Sequence, residues 1–300
     1  MKNPNPLMLL RIAQADACGM AVEYIKPEHE ASLVAALRFE GYVGHPVLTD
    51  VKPGMYTDDT QMSVAIAEAL LKKENPNVLD FGDAFLECYK RDPRGGYSAR
   101  VKKMLEESAT AEDLIRMDDA ASDFNGAAMR AVPIGVVSDP SLVLWLAAKQ
   151  SLLTHDTLGG KLSAQLVALM SHFALYTDLP FSDLRAWLMT FFCRDEIKDV
   201  CMPWDGRVAV GHNRPGMGLL TVRAVHTLLV ESKSLMGMME RLMKWGGDTD
   251  SVAAIAWGIA SCRFQDEKLP DFMERDLEVG SAYGVEFLKD LGTKLMVRYA

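Results

Sequence analysis

The stretch GMYTDDTQMSVAIAEALL, residues 54–71, sets two adjacent aspartates directly ahead of an amphipathic run. Met62, Ala65, Ile66, Ala69 and Leu70 recur at the i, i+3, i+4, i+7 and i+8 spacing of one helix face. Aspartate is a favoured N-cap, and negative charge at a helix N-terminus stabilises by roughly 0.3–1 kcal/mol. Asp58 followed by Gln61 even has the form of a capping box. One cap accounts for one aspartate, not for Asp58 and Asp59 together. The same excess returns in WGGDTDSVAAIAWGIA, residues 245–260, where Asp248 and Asp250 precede a second apolar helix. Hydroxyls flank both pairs: Thr57 and Thr60, then Thr249 and Ser251. Crowded carboxylates raise one another's pKa unless a cation neutralises them. Four carboxylates with several hydroxyls make an all-oxygen donor set, which suits a hard cation such as Mg2+ or Mn2+ rather than zinc.

Helical periodicity dominates the rest of the chain. Residues 158–176 and 218–230 read as long, nearly apolar helices placed deep inside, and no run alternates convincingly with period two. VGHPVLTDV (43–51) is at best a short extended piece, and 202–218 is the one long loop. With no linker, repeat or low-complexity tract, the expected fold class is all-α, a single compact multi-helical domain over residues 1–300. The methionine-rich piece LMGMMERLM (235–243) reads as core filler at helical spacing.

Three hundred residues, 49% of them hydrophobic, are enough for a sizeable core. A net charge of −9 argues against a nucleic-acid backbone or an anionic membrane as the main partner. The five cysteines are scattered and include no C-x-x-C, so neither a zinc cluster nor a disulfide framework is expected. The N-terminal apolar run is too short for a signal segment, and no window is apolar enough to span a bilayer. A cytoplasmic monomer is the expectation.

Spacing tests other acidic sites. An EF-hand loop starting at Asp248 needs glycine at its sixth position and glutamate at its twelfth, where the chain has Ala253 and Ile259. The aspartate-rich motif of terpenoid synthases needs a third acid where Met62 stands. His155-Asp156 in LLTHDTLGG matches the dipeptide of HD-type metal phosphohydrolases, but its bland reading is a polar cap before an apolar helix.

Taken together, TDDTQM near the first quarter and GGDTDSVAAI near the last sixth resemble the signature of the ADP-ribosylglycohydrolase family. ADACGMAVEY (15–24) is similar to that family's Gly-Asp-Ala-Leu-Gly segment, with Glu23 at the closing acidic position. RDPRGGYSARV, SDFNGAAMRAVPIG, LLTHDTLGG and GMGLLTVRAV extend the likeness along the chain. The chain departs from the pattern at Ala15 and Cys18, at Phe124 where many members have glycine, and at Ser251 where threonine is frequent.

The resemblance implies orthogonally packed helices around a central cleft that holds two Mg2+ (or Mn2+) ions. It implies Thr57, Asp58, Asp59, Asp248, Asp250 and Ser251 as metal positions. Ser122, Asp123, Phe124, Asn125 and Gly126 would form the loop that lets a diphosphate approach. His155 would sit beside the phosphates or distal ribose, and Gly96 and Tyr97 would line the cleft. The implied reaction is hydrolysis at C1 of the ribose, with an oxocarbenium-like transition state, releasing ADP-ribose from an acceptor that is expected to be a protein. Glu23 would gate the metals or shuttle a proton, and Asp59 or Asp248 could instead serve as the base. Two alternatives stay open at this point: a non-catalytic ADP-ribose-binding module, and an HD-like metal phosphohydrolase. The 202–218 loop (Trp204, Asp205, Arg207, His212, Arg214) is a candidate rim for acceptor choice.

Overall fold

The structure is a computed structural model that describes residues 1–117, 122–206, 209–210 and 216–300. Among the described residues its frame is nine long helices: α1 (Met8–Gly19), α2 (Asp58–Lys72), α3 (Val78–Arg91), α4 (Pro140–Ser151), α5 (Leu158–Tyr176), α6 (Met217–Glu231), α7 (Leu235–Trp245), α8 (Thr249–Ala260) and α9 (Val285–Tyr299). Shorter helical turns connect them. Among the described residues there is no strand, and the one isolated bridge joins Val210 to Gly247.

Local signals account for four of these nine helix starts. Asn77 accepts from the Leu79 and Asp80 amides at 2.8 and 3.2 Å, and Asp80 returns a bond to the Asn77 amide, closing a capping box on α3. Asp139 with Pro140 opens α4, Thr157 caps α5, and Ser234 caps α7. The α7 methionines Met238, Met239 and Met243 are buried, as filler should be.

The core is layered around α1, α5 and α8. Every residue of α1 except Arg11 is buried, and so is every residue of α8. A helix apolar on all sides belongs inside a bundle, and these two pack along each other at the centre. α5 packs against α4, α6 and α8, while α2 lies against α1, α3 and α9. The starts of α2 and α8, almost two hundred residues apart, therefore open at one place. No helix among the described residues is long and apolar enough to cross a membrane.

Candidate active site

At the start of α2 the expected capping box is not formed. Thr57 occupies the N-cap position without a side-chain cap bond, and Gln61 instead donates to the Asp92 carbonyl at 2.6 Å. The amides are satisfied from α1. Asp16 accepts from the Thr57 and Thr60 amides at 3.0 and 3.1 Å and from their hydroxyls at 2.9 and 2.6 Å. An imported carboxylate does the capping, and this frees both Asp58 and Asp59 from that duty. Burial pushes Asp16 up to about 6 against the pull of these bonds.

At the start of α8 the corresponding link also runs to α1. Thr249 Oγ1 donates to the Gly19 carbonyl at 2.7 Å, and a β-carbon on Gly19 would meet the Asp250 Cα at 2.6 Å. Only glycine permits that approach. Asp248, at the N-cap position, makes no cap bond and accepts from Asn125 Nδ2 at 2.6 Å.

Asp58, Asp59, Asp248, Asp250 and Glu23 thus line one cleft of about 820 Å³. Ligand atoms of Glu23, Asp248 and Asp250 lie within 4.8 Å of one another. The four aspartates are buried, and burial drives all five acids upward; neighbouring acids add to this at Glu23, Asp58, Asp59 and Asp250, whereas hydrogen bonds with Asp250, Asn125 and Ser251 oppose it at Asp248. Glu23 and Asp58 each reach about 8, with Asp248 the leading charge on Glu23 and Asp16 on Asp58. Asp59 Oδ1 is buried without a hydrogen-bond partner among the described residues. An oxygen-only set of buried acids with an orphaned carboxylate oxygen fits a hard divalent cation.

Basic residues line the same cleft. Arg130 is fully buried against the Phe85 ring, its guanidinium carbon 4.5 Å from the centroid, and donates to the Thr154 hydroxyl at 2.8 Å. Arg100 donates to the Thr154 carbonyl at 2.6 Å. The Thr154 hydroxyl meets His155 Nδ1 at 2.7 Å. Burial, then Arg130 and Arg100, holds His155 well below its ordinary pKa, so the ring is neutral.

Of the residues expected from sequence, Glu23, Asp58, Asp59, Gly96, Tyr97, Ser122, Phe124, Asn125, Gly126, His155, Asp248, Asp250 and Ser251 all line this cleft. Thr57 does not, because its hydroxyl turns to Asp16. Asp123 is also outside the lining; its carbonyl receives the Gly218 amide at 2.9 Å. Gly96 has φ +98°, and a β-carbon there would meet Asp58 Oδ1. Tyr97 donates to Gln61 Oε1 at 2.7 Å, which explains where the apparent capping-box glutamine went. Asp156 pairs with Lys161 away from the cleft, so His155 and Asp156 do not act as a ligand pair. Trp204 is buried beside Arg223 rather than forming a rim, and Arg207, His212 and Arg214 lie outside the described residues.

Sequence reasoning missed Asp16, Arg100 and Arg130. Asp16 carried a signal, an acid among the apolar residues of α1 that burial obliges to find donors. The arginines stood inside quoted motifs but carry no spacing that marks them.

The profile of the family described as ADP-ribosylglycohydrolase matches residues 8–297. The chain belongs to that family. Among ADP-ribosylglycohydrolase relatives, it is 26% identical over 292 residues to the ADP-ribosylhydrolase ARH3 of Xenopus tropicalis, covering 81% of this chain and 82% of that one. It is 25% identical over 270 residues to the ARH3 of Homo sapiens, 74% of each chain. The ADP-ribosyl-(dinitrogen reductase) glycohydrolase of Rhodospirillum rubrum is 30% identical over 158 residues, 49% of each chain. A solved ADP-ribosylglycohydrolase-related protein complex superposes with a TM-score of 0.74 at 22% identity, over 98% of this chain and 97% of that one, and bears out the all-α fold. The family is metal-dependent, and Glu23, Asp248 and Asp250 form an acidic group able to hold a metal ion.

Proposed function

We propose that this chain hydrolyses the glycosidic bond between ADP-ribose and an acceptor, and that the acceptor is a protein. The carrying observation is one cleft lined by five acids together with Arg100, Arg130 and a neutral His155. A ligand that carries both a diphosphate and a neutral sugar matches that mixed lining. The diphosphate would lie over the Ser122–Gly126 loop near the arginines, and Phe124, which lines the cleft and is 46% exposed, offers a ring face to adenine.

Two Mg2+ or Mn2+ ions, held by Asp58, Asp59, Asp248, Asp250 and Ser251, would polarise and orient the ribose oxygens when bound. The remaining work falls to the side chains. Glu23, which lines the cleft beside Asp248, is placed to pass a proton to the departing acceptor. Asn125 fixes one oxygen of Asp248. The neutral His155 ring would sit beside a phosphate or ribose oxygen. The five free cysteines, four of them buried, agree with a reducing compartment.

Purified protein with Mg2+ should release free ADP-ribose from a panel of arginine-, serine- and base-linked conjugates, and Asp58→Ala or Asp250→Ala should abolish release. Full activity in EDTA would rule out the metal role. ADP-ribose binding without turnover on any linkage would instead favour the binding module.

A further inference from the structure

The peptide unit joining Glu23 to Tyr24 is gripped at both of its polar atoms. Its N–H donates to the Gly247 carbonyl at 2.8 Å, on the loop that leads into Asp248. Its carbonyl oxygen lies 2.8 Å from His45 Nε2. The tautomer follows from the other face of the ring. His45 Nδ1 receives the Val47 and Leu48 amides at 3.1 and 2.8 Å, so it is the acceptor and Nε2 carries the proton. The imidazole therefore ties the 45–48 segment to the main chain of Glu23 by a donated hydrogen bond.

Something must hold this turn. Tyr24 has φ +45°, the left-handed region that non-glycine residues avoid, and no helix covers residues 23–26. The grip at both peptide atoms supplies the constraint that the local sequence does not. His45 also lies away from the diphosphate half of the cleft. With Glu23, Tyr24, Gly96 and Tyr97 it lines a second cavity of about 530 Å³, to which Asn125, Gly126 and His155 do not contribute.

We infer that His45 is a positioning residue, whose Nε2–H holds the Glu23 carboxyl within the acidic cluster. The inference rests on the proposed proton-delivering role of Glu23. Without the bond, the Glu23–Tyr24 turn relaxes and the carboxyl spends most of its time away from the ribose, while the Ser122–Gly126 loop is untouched. The effect belongs to kcat and not to binding.

The test compares His45→Ala, His45→Gln and Glu23→Gln with the unaltered protein, all loaded with Mg2+. Turnover is followed on whichever linked ADP-ribosyl peptide the unaltered protein cleaves, and free ADP-ribose is titrated by calorimetry. His45→Ala should lower kcat at least tenfold, leave KM and the ADP-ribose Kd within threefold, and speed exchange of the Tyr24 amide at least tenfold. Glutamine presents an N–H to the Glu23 carbonyl and an oxygen to one amide, so His45→Gln should recover most of the lost kcat. If Glu23→Gln is inactive while His45→Ala keeps its kcat, the positioning role is overturned. A loss confined to KM or Kd overturns it equally. If Glu23→Gln is fully active, the proton-delivery reading fails, and the Tyr24 amide alone decides whether His45 holds the turn. Should the alanine variant not fold, His45→Gln against His45→Asn, whose shorter amide falls short of the carbonyl, gives the same contrast.

Discussion

Asp16 offers a clean measurement of what an imported cap is worth. Asp16→Ala and Asp16→Asn both delete a buried charge beside Asp58 and Asp59, so electrostatic relief is common to both variants and cancels between them. They differ in what remains for the donors. With its oxygen in the Oδ2 position, asparagine accepts from both the Thr57 and Thr60 amides, now at 3.0 and 3.1 Å, and its nitrogen faces the Thr57 hydroxyl. Alanine leaves two buried amides unpaired, at roughly 1–3 kcal/mol each, while the two hydroxyls rotate to other acceptors. Asp16→Asn should therefore be more stable than Asp16→Ala by at least about 2 kcal/mol. Urea unfolding in EDTA at pH 7.5, with equal m-values, reads the difference. Two variants within about 0.5 kcal/mol of each other would refute the claim that Asp16 caps α2.

Asp59→Asn removes one of the mutually repelling buried carboxylates, so in EDTA at pH 8 it should raise stability by about 1 kcal/mol while hydrolysis is lost; thermal unfolding and an ADP-ribose release assay check the two halves. Gly96→Ala forces a β-carbon into Asp58 Oδ1 at a positive φ; the unaltered protein should gain Tm with Mg2+, and the variant should lose that gain. His226 is held down to about 4 by burial, from 6.5, with Nε2 unpartnered among the described residues. Its folded pKa lies below the unfolded one, so the unfolded chain takes up the proton first. Stability is lost as pH falls from 6.5 towards 4, by about 3 kcal/mol from this group. His226→Asn should flatten the stability profile by that amount in that window, read by denaturant titrations at several pH values.

The helices were legible because their signals are local. The apolar spacing in 62–70 and 252–260 located α2 and α8, and the 158–176 run coincides with α5. The excess of aspartates was legible too, since capping chemistry accommodates one acid per helix start. What could not be read are contacts between distant segments. Asp58 and Gln61 look like a box until Asp16, on another helix, takes the amides and Tyr97 takes the glutamine. Thr57 has a ligand-like hydroxyl in sequence, and its proton goes to the same carboxylate. Arg130 is silent in sequence because the partners that hold it, Gln150 and Thr154, lie on α4 and in the connection after it.

The two halves of the acidic cluster come from opposite ends of the chain, yet both are fastened to α1. One is bolted at Asp16 and the other at Gly19, three residues further along. At 1.5 Å of rise per residue, the bolts stand about 4.5 Å apart along the helix axis. A single turn of helix acts as the gauge block of the site. Loops elsewhere can lengthen or shorten without altering it, whereas inserting or deleting one residue between 16 and 19 would rotate one bolt by about 100° and separate the halves.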